Sequence, residues 1–277
     1  MKIFGIFGDP IEHSLSPAMQ NAALRALGEK ACYHAFRVAG GDLLDALLGA
    51  RAMGFAGLNL TIPLKEKALE LDLLEPDPLA RAIGAVNTVS FREQGMVGHN
   101  TDGWGALLAL QGAGVAVRGK SVLIIGAGGA ARAIAYTLAQ EGAEISIANR
   151  SLKRAEELAA RVGAIGFCLG DLARLAVQAD IIINCTSVGM REGDARLLDG
   201  RLLQSRQAVF DIVYNRQTQL LEDARAAGAV AIDGVMMLVH QGAKALQIWT
   251  GKKAPVDVME RAVREALSAR RARRDGA

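Results

Sequence analysis

A tight glycine turn near the middle of the chain constrains the fold more than any other feature of the sequence. Gly126-Ala-Gly-Gly-Ala-Ala131 directly follows the apolar run Ser121-Val-Leu-Ile-Ile125 and opens a stretch with helical spacing. Glycine lets the backbone turn sharply, and it lets N–H groups approach a phosphate at the positive end of the following helix. A strand, such a turn and a helix together predict a dinucleotide-binding, doubly wound parallel sheet.

The end of the next predicted strand indicates which dinucleotide binds. Asn149 and Arg150 stand where a dinucleotide fold often carries an acid, followed by Ser151 and, four residues after Arg150, by Arg154. An acid there would accept hydrogen bonds from a ribose 2'-OH but would repel the extra phosphate of NADP. Arg150 and Arg154 can flank one phosphate, which favours NADP over NAD. The alternative is that both arginines form a solvated first turn of a helix.

The order of the predicted elements divides the chain into two domains. Strands and helices alternate before the glycine turn, then Glu93-Gln-Gly95 predicts a β-hairpin, and Pro76-Asp-Pro78 interrupts a helical region. We predict an α/β fold: an N-terminal α/β domain with a mostly parallel sheet over residues 1–101 and a Rossmann-type doubly wound domain over residues 102–235. The helices of residues 236–277 are predicted to pack back on the first domain.

Composition excludes several classes of protein. The chain is 51% hydrophobic and 22% charged, and no apolar run is long enough to cross a bilayer or to act as a signal peptide, so we expect a cytoplasmic protein. A net charge of +3 is too small to imply a nucleic-acid partner, and the basic run 270–274 is interpreted as a solvated helix end. The three cysteines are widely spaced, so we expect buried, reduced thiols and no metal site.

Two hydroxyls precede a predicted helix near the start of the chain. Ser14 and Ser16 flank Leu15, and Pro17 suits the first helical turn. Ser16 can cap the helix, and Ser14 together with the free N–H groups can donate to a carboxylate. The residues alone leave two interpretations open, simple capping and a small-anion site.

Polar residues at the predicted strand ends offer acid–base chemistry. Asn59 and Thr61 share one face of a strand, and Lys65 follows in the first turn of a helix. Asp102, which can cap the next helix, is the best candidate for an acid partner of Lys65. Reduction of a ketone needs a hydride and a proton, and a Lys–Asp pair can supply and orient the proton. From the spacing alone, a surface lysine is an equally good interpretation.

The ordered set of these motifs resembles the shikimate dehydrogenase family nearly from end to end. The matching segments, besides the glycine turn, are Gly8–Pro17, Asn59–Lys65, Gly84–Thr88, Asn100–Gly103, Asn149–Ser151 with Arg154, Asn184–Met190 and Gly234–Gln241. The resemblance implies an enzyme that reduces 3-dehydroshikimate reversibly to shikimate with NADPH, within aromatic amino-acid biosynthesis. It makes the first domain the substrate domain and the second the NADP domain.

The resemblance also implies roles for individual residues. Lys65 and Asp102 match the catalytic pair, and Ser14 and Ser16 match the serines that hold the substrate carboxylate. The remaining substrate-binding positions are Thr61, Asn87, Asn100 and Gln241 for the ring hydroxyls and Tyr214 near the carboxylate. The implied cofactor-binding positions are Gly126, Ala127, Gly128, Gly129, Ala130, Asn149, Arg150, Ser151, Arg154, Thr186, Ser187, Met190 and Gly234.

The chain departs from the family pattern at one loop. Asp211–Thr218 carries Arg216 where many relatives have proline and is one residue shorter, so the resemblance does not fix the pose of Tyr214. Gln241 lies at helical spacing with Leu238, which also suits a near-core amide. The alternatives are a quinate/shikimate dehydrogenase that uses NAD and a non-catalytic dinucleotide-binding regulatory protein. We expect a monomer or homodimer with a small-molecule substrate and no nucleic-acid or membrane partner.

Overall fold

The computed structural model of the chain describes residues 1–275 and consists of two compact units. The N-terminal unit is Met1–Gly105 together with the chain from Leu238 onward, and the central unit is Ala106–Met237. The division therefore falls four and two residues later in the chain than the predicted boundaries at 101/102 and 235/236. Within the basic run at the C-terminal end, the side chains of Arg271, Arg273 and Arg274 lie outside what the structure describes.

The strands and helices alternate over most of the chain. The strands are β1 (Lys2–Gly8), β2 (Ala31–Arg37), β3 (Phe55–Leu60), β4 (Leu74–Pro76), β5 (Thr88–Arg92), β6 (Gly95–His99), β7 (Ser121–Ile125), β8 (Glu144–Asn149), β9 (Ile165–Cys168), β10 (Ile181–Asn184), β11 (Ala208–Asp211) and β12 (Val230–Ile232). The helices are α1 (Ser16–Ala26), α2 (Leu43–Ala52), α3 (Leu64–Lys67), α4 (Pro78–Ile83), α5 (Asp102–Gly112), α6 (Gly129–Gln140), α7 (Leu152–Val162), α8 (Leu172–Gln178), α9 (Gln219–Ala226), α10 (Val235–Thr250) and α11 (Val256–Asp275).

The N-terminal unit is built on a mixed six-stranded sheet in the order β2-β1-β3-β5-β6-β4. β1 runs parallel to β2 and β3, whereas β5 runs antiparallel to both β3 and β6. β3 and β6 therefore point the same way, and their carboxyl ends lie at the same edge of the sheet as the start of β5. Apolar side chains such as Leu58, Leu60 and Val89 pack with Leu47 of α2 below this edge. The C-terminal helix α11 packs against α1 within the same unit.

The central unit is a fully parallel six-stranded sheet in the order β12-β11-β10-β7-β8-β9. Its middle strands β7 and β10 are buried apolar runs, as expected of strands covered by helices on both faces. The strand order reverses between β7 and β10, and open α/β sheets bind ligands at the carboxyl ends on either side of such a reversal. The two-domain α/β fold class that the sequence predicted is confirmed.

Local details differ from the predictions in two places. Leu74–Pro76 forms the short edge strand β4, where the sequence predicted a helical region, because its backbone pairs in parallel with Met96–Gly98. The predicted hairpin is present, since β5 and β6 pair in antiparallel register. The three cysteines are free, but Cys168 is exposed, and Cys32 and Cys185 are only half-buried, so the expectation of buried thiols was wrong.

Candidate active site

Lys65 and Asp102 meet at the edge of the N-terminal sheet where β3 and β6 end. Lys65 lies in α3, five residues beyond the last residue of β3, and Asp102 is the first residue of α5, just beyond β6. Lys65 Nζ donates to Asp102 Oδ2 over 2.7 Å, and the two side chains are 16% and 4% exposed. Because β3 and β6 are parallel, their carboxyl ends bring together two residues that are 37 positions apart. The structure thus pairs the two residues that the sequence proposed as partners.

The second oxygen of Asp102 accepts a hydrogen bond from Asn87. Asn87 precedes β5, and its Nδ2 donates to Asp102 Oδ1 over 2.8 Å and to Thr101 Oγ1 over 2.9 Å. The Thr101 N–H donates back to Asn87 Oδ1 over 2.9 Å, so the amide is held from both ends. Asp102 is itself the first helical residue of α5, and its carboxylate accepts from Lys65 and Asn87 rather than from the N–H groups of the first turn, so the predicted cap was wrong. The carboxylate orients Lys65 instead.

Asn100 and Gln241 complete the polar edge. Asn100 Nδ2 donates to the carbonyl oxygen of Ala85 over 2.8 Å, and its Oδ1 accepts from the Asp102 N–H over 3.0 Å, which fixes the start of α5. Gln241 in α10 is half-buried, and its Nε2 donates to the Leu238 carbonyl over 2.8 Å. Its Oε1 lies 3.4 Å from Asn87 Nδ2, so Gln241 belongs to this group of side chains. Thr61 is half-buried directly after β3.

The two serines lie at the start of α1, but the cap differs from the prediction. Leu15 is the N-cap residue and no side chain caps α1. Ser14 Oγ accepts from the Ser16 N–H over 3.2 Å, and Ser16 itself is the first helical residue, 3% exposed. The Ser16 hydroxyl makes no hydrogen bond to any other residue of the described chain. Arg270 of α11 donates to the carbonyls of His13 and Ser14, which ties this loop to the C-terminal helix.

The glycine turn of the central unit joins β7 to α6. Gly126 has a φ of +115°, which other residues rarely adopt, and a Cβ there would lie 3.0 Å from the Cys185 carbonyl oxygen. α6 begins after Gly128 with no side-chain cap and no acidic residue in its first turn. The first N–H groups of α6 are therefore donors that a phosphate can use.

The basic residues after β8 lie beside this turn. Ser151 caps α7 by accepting from the Arg154 N–H, and Asn149 Nδ2 donates to the Ser151 carbonyl over 3.0 Å. Arg154 Nη2 reaches the Ala127 carbonyl oxygen over 3.3 Å, and Arg150, four residues earlier in the chain, is exposed. The arginine side chains and the uncapped N–H groups of α6 therefore lie in the same part of the central unit. This set of donors fits a phosphorylated dinucleotide such as NADP.

The loop after β10 is shaped by its own hydrogen bonds. Asn184 Oδ1 accepts from the N–H and the hydroxyl of Thr186 over 2.9 and 2.7 Å. Ser187 and Met190 are exposed on this loop. Gly234, another implied cofactor position, has no room for a Cβ because the backbone of Ile212 lies against it. Tyr214 is half-buried beyond β11.

A buried acid that sequence reasoning missed supports this loop. Asp211 at the end of β11 is fully buried, with Oδ1 accepting from Asn184 Nδ2 over 3.0 Å and Oδ2 accepting from Thr218 Oγ1 over 2.7 Å. Burial raises the pKa of the Asp211 carboxyl, and the hydrogen bonds from Thr218, the Val213 N–H and Asn184 oppose that rise in part. The sequence did show one sign of this site: the apolar strands β10 and β11 each end in a polar residue, Asn184 and Asp211.

Among the helices of residues 1–275, none combines the length and apolar character that crossing a bilayer requires. In the same part of the chain, no group of three His, Cys, Asp or Glu side chains is arranged to hold a metal ion.

Three family models match successive parts of the chain. A model of the shikimate dehydrogenase substrate binding domain matches residues 6–89, one of shikimate/quinate 5-dehydrogenase matches residues 108–220, and one of the shikimate 5'-dehydrogenase C-terminal domain matches residues 234–264. Together they span both units.

Individual proteins match over nearly the whole chain. The NADP(+) shikimate dehydrogenase of Methanothrix thermoacetophila is 61% identical over 267 residues, which cover 96% of this chain and 98% of that protein. The crystal structure of shikimate dehydrogenase from Aquifex aeolicus has a TM-score of 0.89 at 38% identity, covering 95% of this chain and 98% of that one.

A structure with both ligands bound is equally similar. Shikimate 5-dehydrogenase from Thermus thermophilus, in complex with NADP(H) and shikimate, has a TM-score of 0.88 at 40% identity, covering 96% of this chain and 100% of that one. These matches confirm the family that the sequence motifs resembled. The chain belongs to the shikimate dehydrogenase family.

Proposed function

We propose that this protein catalyses the reversible, NADP-dependent reduction of 3-dehydroshikimate to shikimate. The observation that carries the proposal is the Lys65–Asp102 pair, joined over 2.7 Å and oriented by Asn87, in a chain of this family. The pair provides a proton donor held by a carboxylate at the edge of a sheet, which suits the proton-transfer half of a carbonyl reduction.

Lys65 is the group that handles the proton. As hydride adds to C3 of the substrate, negative charge develops on the C3 oxygen, and an ammonium group in contact with that oxygen stabilises the charge and passes a proton to it. Asp102 restricts the Lys65 ammonium to one direction, and Asn87 restricts Asp102. In the reverse direction, Lys65 accepts the hydroxyl proton as the hydride leaves.

The serine loop is the proposed site for the substrate carboxylate. The Ser16 hydroxyl has its donor available, and Ser14 can rotate its hydroxyl proton outward while its oxygen still accepts from the Ser16 N–H. Two hydroxyl donors near the positive end of α1 favour a carboxylate over a neutral group. We further propose that Tyr214 contacts this carboxylate, as the resemblance implies.

The ring hydroxyls are assigned to the polar edge around Asp102. Thr61 and Gln241 are half-buried there and can still donate or accept, so they are the proposed direct ligands. Asn87 and Asn100 have most of their amide capacity used by the protein, as their bonds to Asp102 and Ala85 show. Both residues belong to the proposed site: Asn100 keeps one amide N–H for the substrate, whereas Asn87 would contact the substrate only by giving up one of its present partners.

The central unit carries the proposed NADP site. The uncapped N–H groups after Gly128 would hold the pyrophosphate, and Arg150 and Arg154 would hold the phosphate on the adenosine ribose. The remaining residues of the proposed site are Gly126, Ala127, Gly129, Ala130, Asn149, Ser151, Thr186, Ser187, Met190 and Gly234. When bound, the reduced cofactor supplies the hydride that Lys65 complements with a proton.

Assembly and location are part of the proposal. We expect a cytoplasmic monomer or homodimer without a nucleic-acid partner, consistent with a net charge of only +3. Size-exclusion chromatography with light scattering measures the assembly directly, and a stable higher oligomer would contradict it.

One assay distinguishes the candidate activities. The purified protein is mixed with shikimate or quinate, each with NADP or NAD, and formation of the reduced cofactor is followed by absorbance. The proposal predicts that shikimate with NADP gives the highest kcat/KM. Preferred oxidation of quinate with NAD would indicate a quinate dehydrogenase instead. Binding of NADP without turnover of either substrate would indicate a non-catalytic dinucleotide-binding protein.

A further inference from the structure

A series of buried hydrogen bonds leads from β2 to the Lys65–Asp102 pair. Tyr33 Oη donates to Asn59 Oδ1 over 2.7 Å, and Asn59 Nδ2 donates to Thr88 Oγ1 over 3.1 Å. Thr88 Oγ1 donates to Asn87 Oδ1 over 2.9 Å, and Asn87 Nδ2 donates to Asp102 Oδ1 over 2.8 Å. None of these five residues is more than 4% exposed, so the series is shielded from bulk solvent.

The direction of each bond in the series is determined. Asn59 Nδ2 also donates to the Asn87 carbonyl over 3.1 Å, so reversing the Asn59 amide would set two oxygens against each other. The Thr88 hydroxyl has a single proton, and because its oxygen accepts from Asn59, that proton is directed to Asn87 Oδ1. This bond leaves the Asn87 Nδ2 group facing Asp102.

Tyr33 is itself held rigidly. The side chain of Asn21 in α1 bonds both the N–H and the carbonyl of Tyr33, over 2.9 and 2.8 Å. Its ring lies 6.3 Å from the ring of Trp249, centroid to centroid, and the residue is fully buried. The two Asn21 hydrogen bonds therefore hold the Tyr33 backbone in one position, remote from the proposed catalytic pair.

We infer that Tyr33 is a positioning residue for proton transfer: its hydroxyl fixes the orientation of the Asp102 carboxylate through this series of hydrogen bonds. Without the hydroxyl, Asn59 Oδ1 is buried without its donor, and the amide must shift to recover one. The shift weakens the bond to Thr88 and loosens Asn87, which then holds Asp102 less firmly. The inference rests on the proposed function of Lys65 and Asp102.

Tyr33→Phe removes only the hydroxyl oxygen and tests the inference directly. We expect kcat for shikimate oxidation to fall about fivefold, the effect of weakening one hydrogen bond, while KM for shikimate and for NADP each change by less than about twofold. The solvent deuterium isotope effect on kcat should rise, because proton transfer becomes more rate-limiting. An unchanged kcat and isotope effect would overturn the inference.

Trp249→Phe is the matched control for a purely structural effect. Trp249 packs against Tyr33, and its Nε1 donates to the Val89 carbonyl over 3.0 Å, but it takes no part in the series. This variant should lower the thermal unfolding temperature without changing kcat by more than about twofold or altering the isotope effect. If it reproduced the kinetics of Tyr33→Phe, the effect would be one of folding, and the inference would be wrong.

Thr88→Val interrupts the same series at its middle with an isosteric side chain. If the series transmits the effect of Tyr33, the double variant Tyr33→Phe/Thr88→Val should have the same kcat as Thr88→Val alone. Thr88→Val already breaks the connection between Tyr33 and Asn87, so losing the Tyr33 hydroxyl has no further effect. If the fold loss of kcat in the double variant equalled the product of the losses in the two single variants, the two residues would act independently and the inference would be overturned.

Lys65→Ala separates this inference from the proposed function. If Lys65→Ala retains normal turnover, the proposed role of the pair fails, whatever Tyr33→Phe does. If Lys65→Ala is nearly inactive while Tyr33→Phe is normal, the role of the pair stands and only the inference about Tyr33 fails.

Discussion

Arg154 reaches back from α7 to the glycine turn, where its guanidinium donates to the carbonyl oxygen of Ala127 over 3.3 Å. The basic residues after β8 and the turn after β7 are thereby connected within one unit. The guanidinium brings its positive charge to the turn where the first N–H groups of α6 face outward, and both favour a phosphate at that place. Cofactor discrimination is therefore expected to depend on Arg154 together with its exposed neighbour Arg150.

Replacing Arg150 and Arg154 with alanine should narrow the preference for NADP over NAD. Each lost charge-assisted hydrogen bond to the phosphate weakens NADP binding by about 1.5–3 kcal/mol, whereas NAD lacks that phosphate. The measurement is kcat/KM for both cofactors with shikimate. Arg161→Ala, at the far end of the same helix, is the matched control and should leave the ratio unchanged. An unchanged ratio in the double variant would place the phosphate elsewhere.

Lys65→Ala should reduce kcat by about 10²–10⁴-fold, the usual contribution of a positioned proton donor. The dissociation constant for NADP, measured by fluorescence or calorimetry, should change little, since the loss concerns the proton. Lys67→Ala removes an exposed lysine from the same short helix and should be close to wild type in both measurements. Turnover near the wild-type rate in Lys65→Ala would remove Lys65 from the proposed mechanism.

The two serines should respond differently to alanine. Both Ser14→Ala and Ser16→Ala should raise KM for shikimate, because each removes a donor to the carboxylate. Ser14→Ala also removes the acceptor of the Ser16 N–H and should cost about 0.5–2 kcal/mol of stability. Ser16→Ala removes no hydrogen bond between residues of the described chain and should unfold at nearly the wild-type temperature. Equal stability losses with an unchanged KM would favour a purely structural role for the loop.

Much of the fold follows from local patterns that the sequence displays. The sequence predicts the strand Ser121–Ile125, the glycine turn and the following helix together. A tight turn and close packing of helix on strand need small residues at fixed positions, and the chain has them there. β4 was missed because a three-residue edge strand carries almost no periodic signal. Its pairing with Met96–Gly98 comes from tertiary structure.

The pairing of Lys65 with Asp102 was predictable only as a hypothesis. Both residues lie in motifs that the sequence shows. Their contact, however, depends on the sheet order, in which β3 and β6 run in the same direction with β5 between them. The local sequence predicted that Asp102 caps α5. In the structure its carboxylate instead accepts a charge-assisted hydrogen bond from the Lys65 ammonium group. Tyr33 gave no signal, because a tyrosine in a strand looks the same in sequence whether or not its hydroxyl has a partner.

Asp211 should make the stability of the protein depend on pH in a defined direction. Burial raises the pKa of this carboxyl above its unfolded value, so the folded state binds the proton more tightly than the unfolded state. Its contribution to stability is complete below the unfolded pKa and is lost as pH rises through the raised folded pKa.

Asp211→Asn tests this directly, because the amide is neutral and can keep the same partners. Its oxygen can accept from Asn184 and the Val213 N–H, and its NH₂ can donate to Thr218 Oγ1. Relative to wild type, the variant should gain unfolding free energy as the pH is raised from below 3.8 to neutral, measured by urea denaturation. Asp211→Ala removes the acceptor of the hydrogen bonds from Asn184, the Val213 N–H and Thr218, so this variant should be less stable than wild type at every pH. A wild-type-to-Asn difference that does not vary with pH would mean that Asp211 does not titrate within this range.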